Sequence, residues 1–214
     1  MDALGPKTSL VDQTYQAMLD AICTGQLKPG ARLSQDQLAA ELGVSRQPVN
    51  SAIAMLKTQR FVEDTGRRGV VVAPVDPVFF QSIYQFRSGV DPVAVELATQ
   101  NLTEAGIAQA IEVIGAGEIA IKTGKPEDAI RADMRFHDLT YALSGNTLIR
   151  DAMKLNWRHL QRGMAVVLAN PGMTEAVWTE HREILDHMIA GDAKRAAEAA
   201  CLHVINAAKR IVSE

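Results

Sequence analysis

Aromatic residues are scarce in this 214-residue chain, at 5%, and only two cysteines occur, Cys23 and Cys201. Two distant thiols exclude a disulfide framework and make a reducing cytoplasm the expected home. No apolar run approaches the roughly 18 residues that span a bilayer. The opening MDALGPKTSL lacks the charged-then-apolar pattern of a secretion signal. Internal repeats and low-complexity tracts are also missing. What remains is 47% hydrophobic, rich in Ala, Val, Ile, Leu and Met, and 22% charged. That is the composition of a globular chain with a real core, leaning toward packed helices. The length allows one large domain or two small ones.

The net charge of −3 conceals an uneven split. Up to Val75 the chain has eight basic and seven acidic residues; beyond it, fourteen and eighteen. Between Ser45 and Arg60 lie Arg46, Lys57 and Arg60 without a single acid, and Arg67 and Arg68 follow. A basic face confined to one third of an acidic protein points to a polyanion partner for that third, or else to a plain solvated helix face.

Local patterns organise that first third. Leu10, Val11, Tyr15, Met18, Leu19 and Ile22 keep helical spacing over residues 9–24, and Gly25 stops it. Ser34 with Gln37 reads as a capping box opening a short helix to Leu42, which Gly43 breaks. Ser45 caps the next helix, whose first turn tolerates Pro48. Residues 61–64 and 70–73 are β-prone, joined by Thr65-Gly66-Arg67-Arg68-Gly69 as a hairpin with arginines at its tip. Helix, short helix, glycine turn, helix and basic-tipped hairpin is the order of a winged helix-turn-helix.

Pro74-Val75-Asp76-Pro77 marks a boundary between a domain of residues 1–75 and one of residues 76–214. Beyond it six helices are expected, near 78–100, 103–123, 126–143, 146–168, 174–190 and 192–212. Their short connections make an antiparallel all-α bundle. The fold class is therefore mainly α.

Three of the five histidines stand out. Asp133 and His137 are four apart, on one helix face beside Ile130, Met134 and Tyr141. His181 shares a stripe with Trp178, Leu185 and Met188; His203 shares one with Ala196, Ala200 and Ala207. The last two helices reverse at Gly191-Asp192, which puts His181 and His203 at about the same height, roughly 16 Å from the turn. Three imidazoles and a carboxylate suit Zn, Ni, Mn or Fe(II) without choosing among them. Singly, each reads first as a hydrogen-bonded core residue; four on converging faces shift the reading to a metal, and His159 and His187 lack such company. Arg87 lies beside an apolar stripe and must be paired, by a Glu or Asp from a neighbouring helix or by a bound organic acid. Asn156 falls near Met153 and Leu160 on the inward side of its helix, as a ligand contact or an interhelical bond.

The stretch LVDQTYQAMLDAICTGQLKPGARLSQDQLAAELGVSRQPVNSAIAMLKTQRFV, followed by GRRGVVVAPV, resembles the DNA-binding domain of GntR-type bacterial transcription regulators. DMRFH, EHREIL and GDAKRAAEAACLH resemble the FCD effector domain of the FadR subfamily. Six C-terminal helices fit its shorter, VanR-like branch. The resemblance implies a homodimeric regulator, with repression the expected sense, that binds double-stranded operator DNA and responds to a small carboxylate held near a divalent metal. It carries DNA contact to Arg46, Arg68 and Gly69. Metal ligation goes to Asp133, His137, His181 and His203, and the effector carboxylate to Arg87. The helix opened by Ser45 would enter a major groove, Arg46, Gln47 and Asn50 reaching bases and Arg32 and Lys57 touching phosphates. Asn50 stands where the family usually has arginine; losing that charge should weaken phosphate or guanine contact, since asparagine favours adenine edges.

Two rival readings remain, one an enzyme and one a regulator that keeps the DNA-binding half. A metal-dependent hydrolase would need a general base, and Glu180 points about 100° away from its neighbour His181 on a helix. Alternatively the bundle serves only for dimerisation, with a structural metal.

Overall fold

The computed structural model describes residues 9–66, 69–167 and 171–212. It divides into two compact units, residues 1–75 and 76–214.

In the first unit, α1 (Leu10–Cys23) starts at Ser9, whose side chain accepts from the Asp12 N–H while Asp12 bonds back to the Ser9 backbone. Met18, Leu19 and Ile22 on α1 pack against α3 (Arg46–Thr58) through Val49, Ala52 and Leu56, all nearly or fully buried. Between them α2 (Gln35–Leu42) ends at Gly43, whose φ of 64° is the left-handed conformation that turns the chain into α3. Two capping expectations are corrected. Ser34 accepts from the Gln37 N–H, but the Gln37 side chain turns forward to Glu41, one turn along α2, so the box is half made. Ser45 sits at the N-cap of α3 without a side-chain bond.

The wing is a three-stranded sheet rather than a bare hairpin. β2 (Val62–Asp64) and β3 (Val70–Val72) pair antiparallel, and β1 (Arg32–Leu33) adds to the far side of β3 in the order β1-β3-β2. The register sets Arg32 opposite Val71 and Glu63 opposite the same residue on the other side. A two-residue strand is too short to show alternation, so periodicity along the sequence does not reveal β1.

The second unit contains α4 (Pro77–Gln100), α5 (Glu104–Lys122), α6 (Pro126–Leu143), α7 (Thr147–Val167), α8 (Pro171–Ile189) and α9 (Ala193–Val212). These are the six helices expected, with ends shifted by up to three residues. α9 packs along α4 and α8, and α5 along α6 and α8. Close approach is built in by glycine: a Cβ on Gly117 of α5 would stand 2.1 Å from the Trp178 ring of α8. Similarly, one on Gly163 of α7 would stand 2.4 Å from Phe80 of α4. α4 runs through Pro92. Proline cannot donate to the carbonyl four residues back, and that Ser88 carbonyl instead has the Cys201 Sγ of α9 at 3.9 Å. Among the described residues, no helix is long and apolar enough to cross a membrane.

Candidate metal centre and nucleic-acid interface

The bundle buries a polar cluster between two apolar ones. One is built around Phe136, Trp178, Ile184 and Leu185; the other around Tyr84, Tyr141, Trp157 and Leu160. Where they meet, α6 contributes Asp133 and His137, α8 His181 and α9 His203, all at most 5% exposed. His137, His181 and His203 each bring a ring nitrogen within 4.8 Å of the others. Ring centroids are separated by 5.2 Å (His137 and His181), 5.4 Å (His137 and His203) and 4.5 Å (His181 and His203). Asp133 joins through His181, its Oδ1 lying 3.4 Å from Nε2.

Burial above all keeps the three imidazoles of this cluster neutral. Burial, then the charges of Arg87 and the other two histidines, hold His137 well below the usual imidazole range. Burial, with His203, Arg87 and Arg210, does the same to His181. His203 is lowered by burial as well, with Glu180 pulling the other way. Burial pushes the Asp133 carboxyl up to about 7 against the opposing pull of Arg87. Among the described residues neither ring nitrogen of His181 has a hydrogen-bond partner, although the residue is fully buried. An orphaned imidazole inside a core costs about 1–3 kcal/mol; as a ligand it would be satisfied. Neutral imidazole nitrogens beside a carboxylate are the donor set that a divalent ion requires, so the residues fit one.

Arg87 faces inward and is paired, though by its own helix. Its Nε and Nη2 donate to Asp91 Oδ2 at 3.0 and 2.8 Å, one turn along α4. The guanidinium lies over the Trp157 ring at 4.7 Å, with Nη2 3.4 Å from His137 Nε2. Tyr141 donates its hydroxyl to the other Asp91 oxygen at 2.7 Å. Asp91 was missed in the sequence although the signal was present, an acid four residues after an inward arginine. The cavity beside the histidines, lined by Asp91, His137, Thr140, Tyr141 and His203 among others, has room for about one water molecule, about 10 Å³.

Asn156 is corrected. It is only half-buried, and its amide donates to the Ala152 carbonyl of its own helix at 2.9 Å. The next residue, Trp157, is the one that enters the site, 4.7 Å from the His137 ring. A one-residue error in facing is a 100° error on a helix. Glu180 is the other miss. It does point away from His181, but toward α9, where Oε2 lies 2.8 Å from His203 Nδ1. Asn206 and Arg210 donate to the same carboxylate. Burial opposes the Glu180 charge, yet these three donors hold its pKa down to about 2. His159 is buried edge-on to Phe79, apart from the cluster.

In the first unit, Ser45, Arg46, Gln47, Asn50 and Lys57 are exposed, and the last four form one solvent-facing stripe of α3. Arg46 is ion-paired to Asp36 of α2, and Lys57 to Asp64 of β2. Gly69 is held small by its neighbours, since a Cβ there would meet Thr65 Oγ1 at 3.1 Å and Arg32 Nε at 3.4 Å. Arg32 on β1 thus lies against the wing. Arg68 falls outside the described residues.

Residues 10–72 match the model of the gntR family of bacterial regulatory proteins, and residues 82–206 match the FCD domain. The chain belongs to the GntR family and carries an FCD domain, which makes it a DNA-binding transcriptional regulator. It is 26% identical to the HTH-type transcriptional regulator YdhC of Bacillus subtilis, over 90% of this chain and 85% of that one. To the HTH-type transcriptional regulator McbR of Escherichia coli it is 25% identical, over 92% and 88%. A solved structure of Escherichia coli McbR superimposes with a TM-score of 0.83 at 22% identity, covering 97% of this chain and 99% of that one. Those relatives are regulators rather than enzymes, which removes the hydrolase reading.

Proposed function

We propose that this regulator senses a small organic acid through a divalent metal held in the FCD bundle, and that it works as a homodimer whose operator binding the acid changes, in the sense of a released repressor. The observation that carries the reading is the convergence of three buried, neutral imidazoles whose ligating atoms lie within 4.8 Å of one another. His137, His181 and His203 would hold the ion, with Asp133 beside His181. Bound there, the ion would supply a Lewis-acid position for a carboxylate. Arg87 stands next to His137 and would donate to that carboxylate. Asn156 contributes nothing to this pocket in our reading.

On DNA, α3 would lie in a major groove with Arg46, Gln47 and Asn50 at base edges. Arg32, Lys57 and the wing residues Arg68 and Gly69 would meet phosphate, with Ser45 at the groove edge. Two copies would read a pseudo-palindrome, since one such module buries little surface. A ligand can shift this binding only by preferring one arrangement of the dimer.

The first test is metal content of untagged protein purified without chelator, beside His203→Ala. About one equivalent in the wild type and none in the variant supports the centre; none in either, after incubation with Zn, Ni and Mn salts, ends it. Organic acids are then screened on the metal-loaded protein against a duplex selected from random DNA at physiological salt. Absence of any preferred sequence would remove the operator-reading half.

A second reading makes the metal purely structural. Two observations favour it: Asp91 already fills the Arg87 fork, and the cavity has room for only about one water molecule. Under that reading metal raises the melting temperature and no organic acid raises it further.

A further inference from the structure

The three histidines of the cluster are not equivalent. Among the described residues His181 has no hydrogen bond at either nitrogen. His137 has the Arg87 guanidinium 3.4 Å from Nε2 and Asp91 Oδ2 3.9 Å from Nδ1, neither of which is a tight ring-orienting bond. Only His203 has a short contact from a ring nitrogen to a carboxylate, at 2.8 Å. Glu180 is itself fixed on the far side by Arg210, at 3.1 and 2.5 Å, and by Asn206 at 2.9 Å. An ionised carboxylate only accepts, so the hydrogen must sit on His203 Nδ1.

We infer that Glu180, anchored by Arg210 and Asn206, is the positioning residue of the metal centre, holding His203 in the Nδ1–H tautomer so that the unprotonated Nε2 faces the other two imidazoles. The inference rests on the proposed metal centre and adds a residue to it.

The physical reason is general. An imidazole ligand free to choose its tautomer and to flip pays for both on binding, and a carboxylate at the distal N–H removes that cost and makes the ligating nitrogen more basic. Here the arrangement does one thing more. Glu180 is on α8, while His203, Asn206 and Arg210 are on α9, so the bonds that orient the ligand are also those that clamp the two helices. Glu180 and His181 are adjacent on α8 and diverge by about 100°. One helix therefore supplies a ligand with one residue and, with the residue before it, orients the ligand supplied by its neighbour.

The experiment uses the full chain, wild type, Glu180→Gln and Glu180→Leu, titrated with Zn(II) against a chromophoric chelator. The His203 tautomer is read from the ring 15N shifts of metal-free protein. Loss of the carboxylate in Glu180→Leu is expected to weaken Zn(II) about 10–100-fold. Glu180→Gln, which keeps an acceptor for Nδ1–H, should lose less and retain the single tautomer. A purely structural Glu180 would change melting without moving the tautomer. Equal Zn(II) affinity in wild type and a folded Glu180→Leu overturns the inference, as does an Nε2–H tautomer in the wild type. If Glu180→Leu fails to fold, Glu180→Gln and the wild-type tautomer decide. A wild type that binds no Zn(II) overturns the centre and with it this role; one that binds Zn(II) while ignoring Glu180 overturns only the role.

Discussion

Arg46 with Asp36 and Arg87 with Asp91 are the same chemistry in two settings. The first pair, in the DNA-reading unit, leaves its side chains 68% and 64% exposed; the second, inside the bundle, leaves 3% and 4%. An exposed pair is worth about 0–1 kcal/mol and exchanges readily for another partner. A buried one contributes little net stability, but removing one member costs about 3–5 kcal/mol because the other charge is stranded. A reading head needs cations that can leave an internal acid for a phosphate, so its charges sit at the surface. A centre able to take up an ion, as proposed for the bundle, would need ligands organised beforehand, and here the polar groups are walled in by Phe136, Trp157 and Trp178.

Removing a buried ligand should break this contrast most sharply. His181→Ala is expected to abolish stoichiometric metal binding, read by elemental analysis after dialysis, while leaving DNA affinity of the metal-free protein within a few-fold. Next comes the buried ion pair. Arg87→Met strands Asp91 and should lower bundle stability by about 3–5 kcal/mol in denaturant unfolding; a loss under 1 kcal/mol would show that the pair is not desolvated in solution. On the exposed side, Arg46→Ala should weaken selected-duplex binding by about 1–3 kcal/mol, the worth of a base contact. Asp36→Ala, which frees Arg46, should tighten it slightly with stability changed by less than about 1 kcal/mol.

Acidity separates the units as well, because all five histidines lie beyond residue 75. The three clustered imidazoles are lowered in the folded state, so their contribution is present above about pH 6.5 and is lost as pH falls. Asp133, raised to about 7, has the opposite sign: it favours the fold at low pH and opposes it as pH rises through about 7. Three groups against one predict that the metal-free bundle melts at a lower temperature at pH 5 than at pH 7. A flat profile would show that the cluster is hydrated. The smallest effect compares two caps. Ser34→Ala should cost about 1 kcal/mol, whereas Ser45→Ala, which removes no cap bond, should be near neutral to folding.

Local grammar determined most of the architecture. The apolar period of α1, the glycine after α2, the break at Pro74 to Pro77 and the six bundle helices are nearest-neighbour effects, written in residues within a turn or two of where they act. The facing of Asp133, His137, His181 and His203 was legible for the same reason: helical period plus the distance to the Gly191 reversal fixes side and height. The partners were not. Whether Gln37 bonds back to Ser34 or forward to Glu41 depends on competing acceptors. Asn156 and Trp157 compete for one inward direction, and a bulky neighbouring helix decides between them. Arg87 could have taken an acid from any of five helices and took Asp91 from its own. Glu180 reads as misplaced until α9 is packed beside α8 and His203 arrives at its carboxylate. Periodicity is a property of one helix and can be read along the chain; which groups share a proton, a charge or a ligand depends on distances between helices, and only tertiary packing sets those.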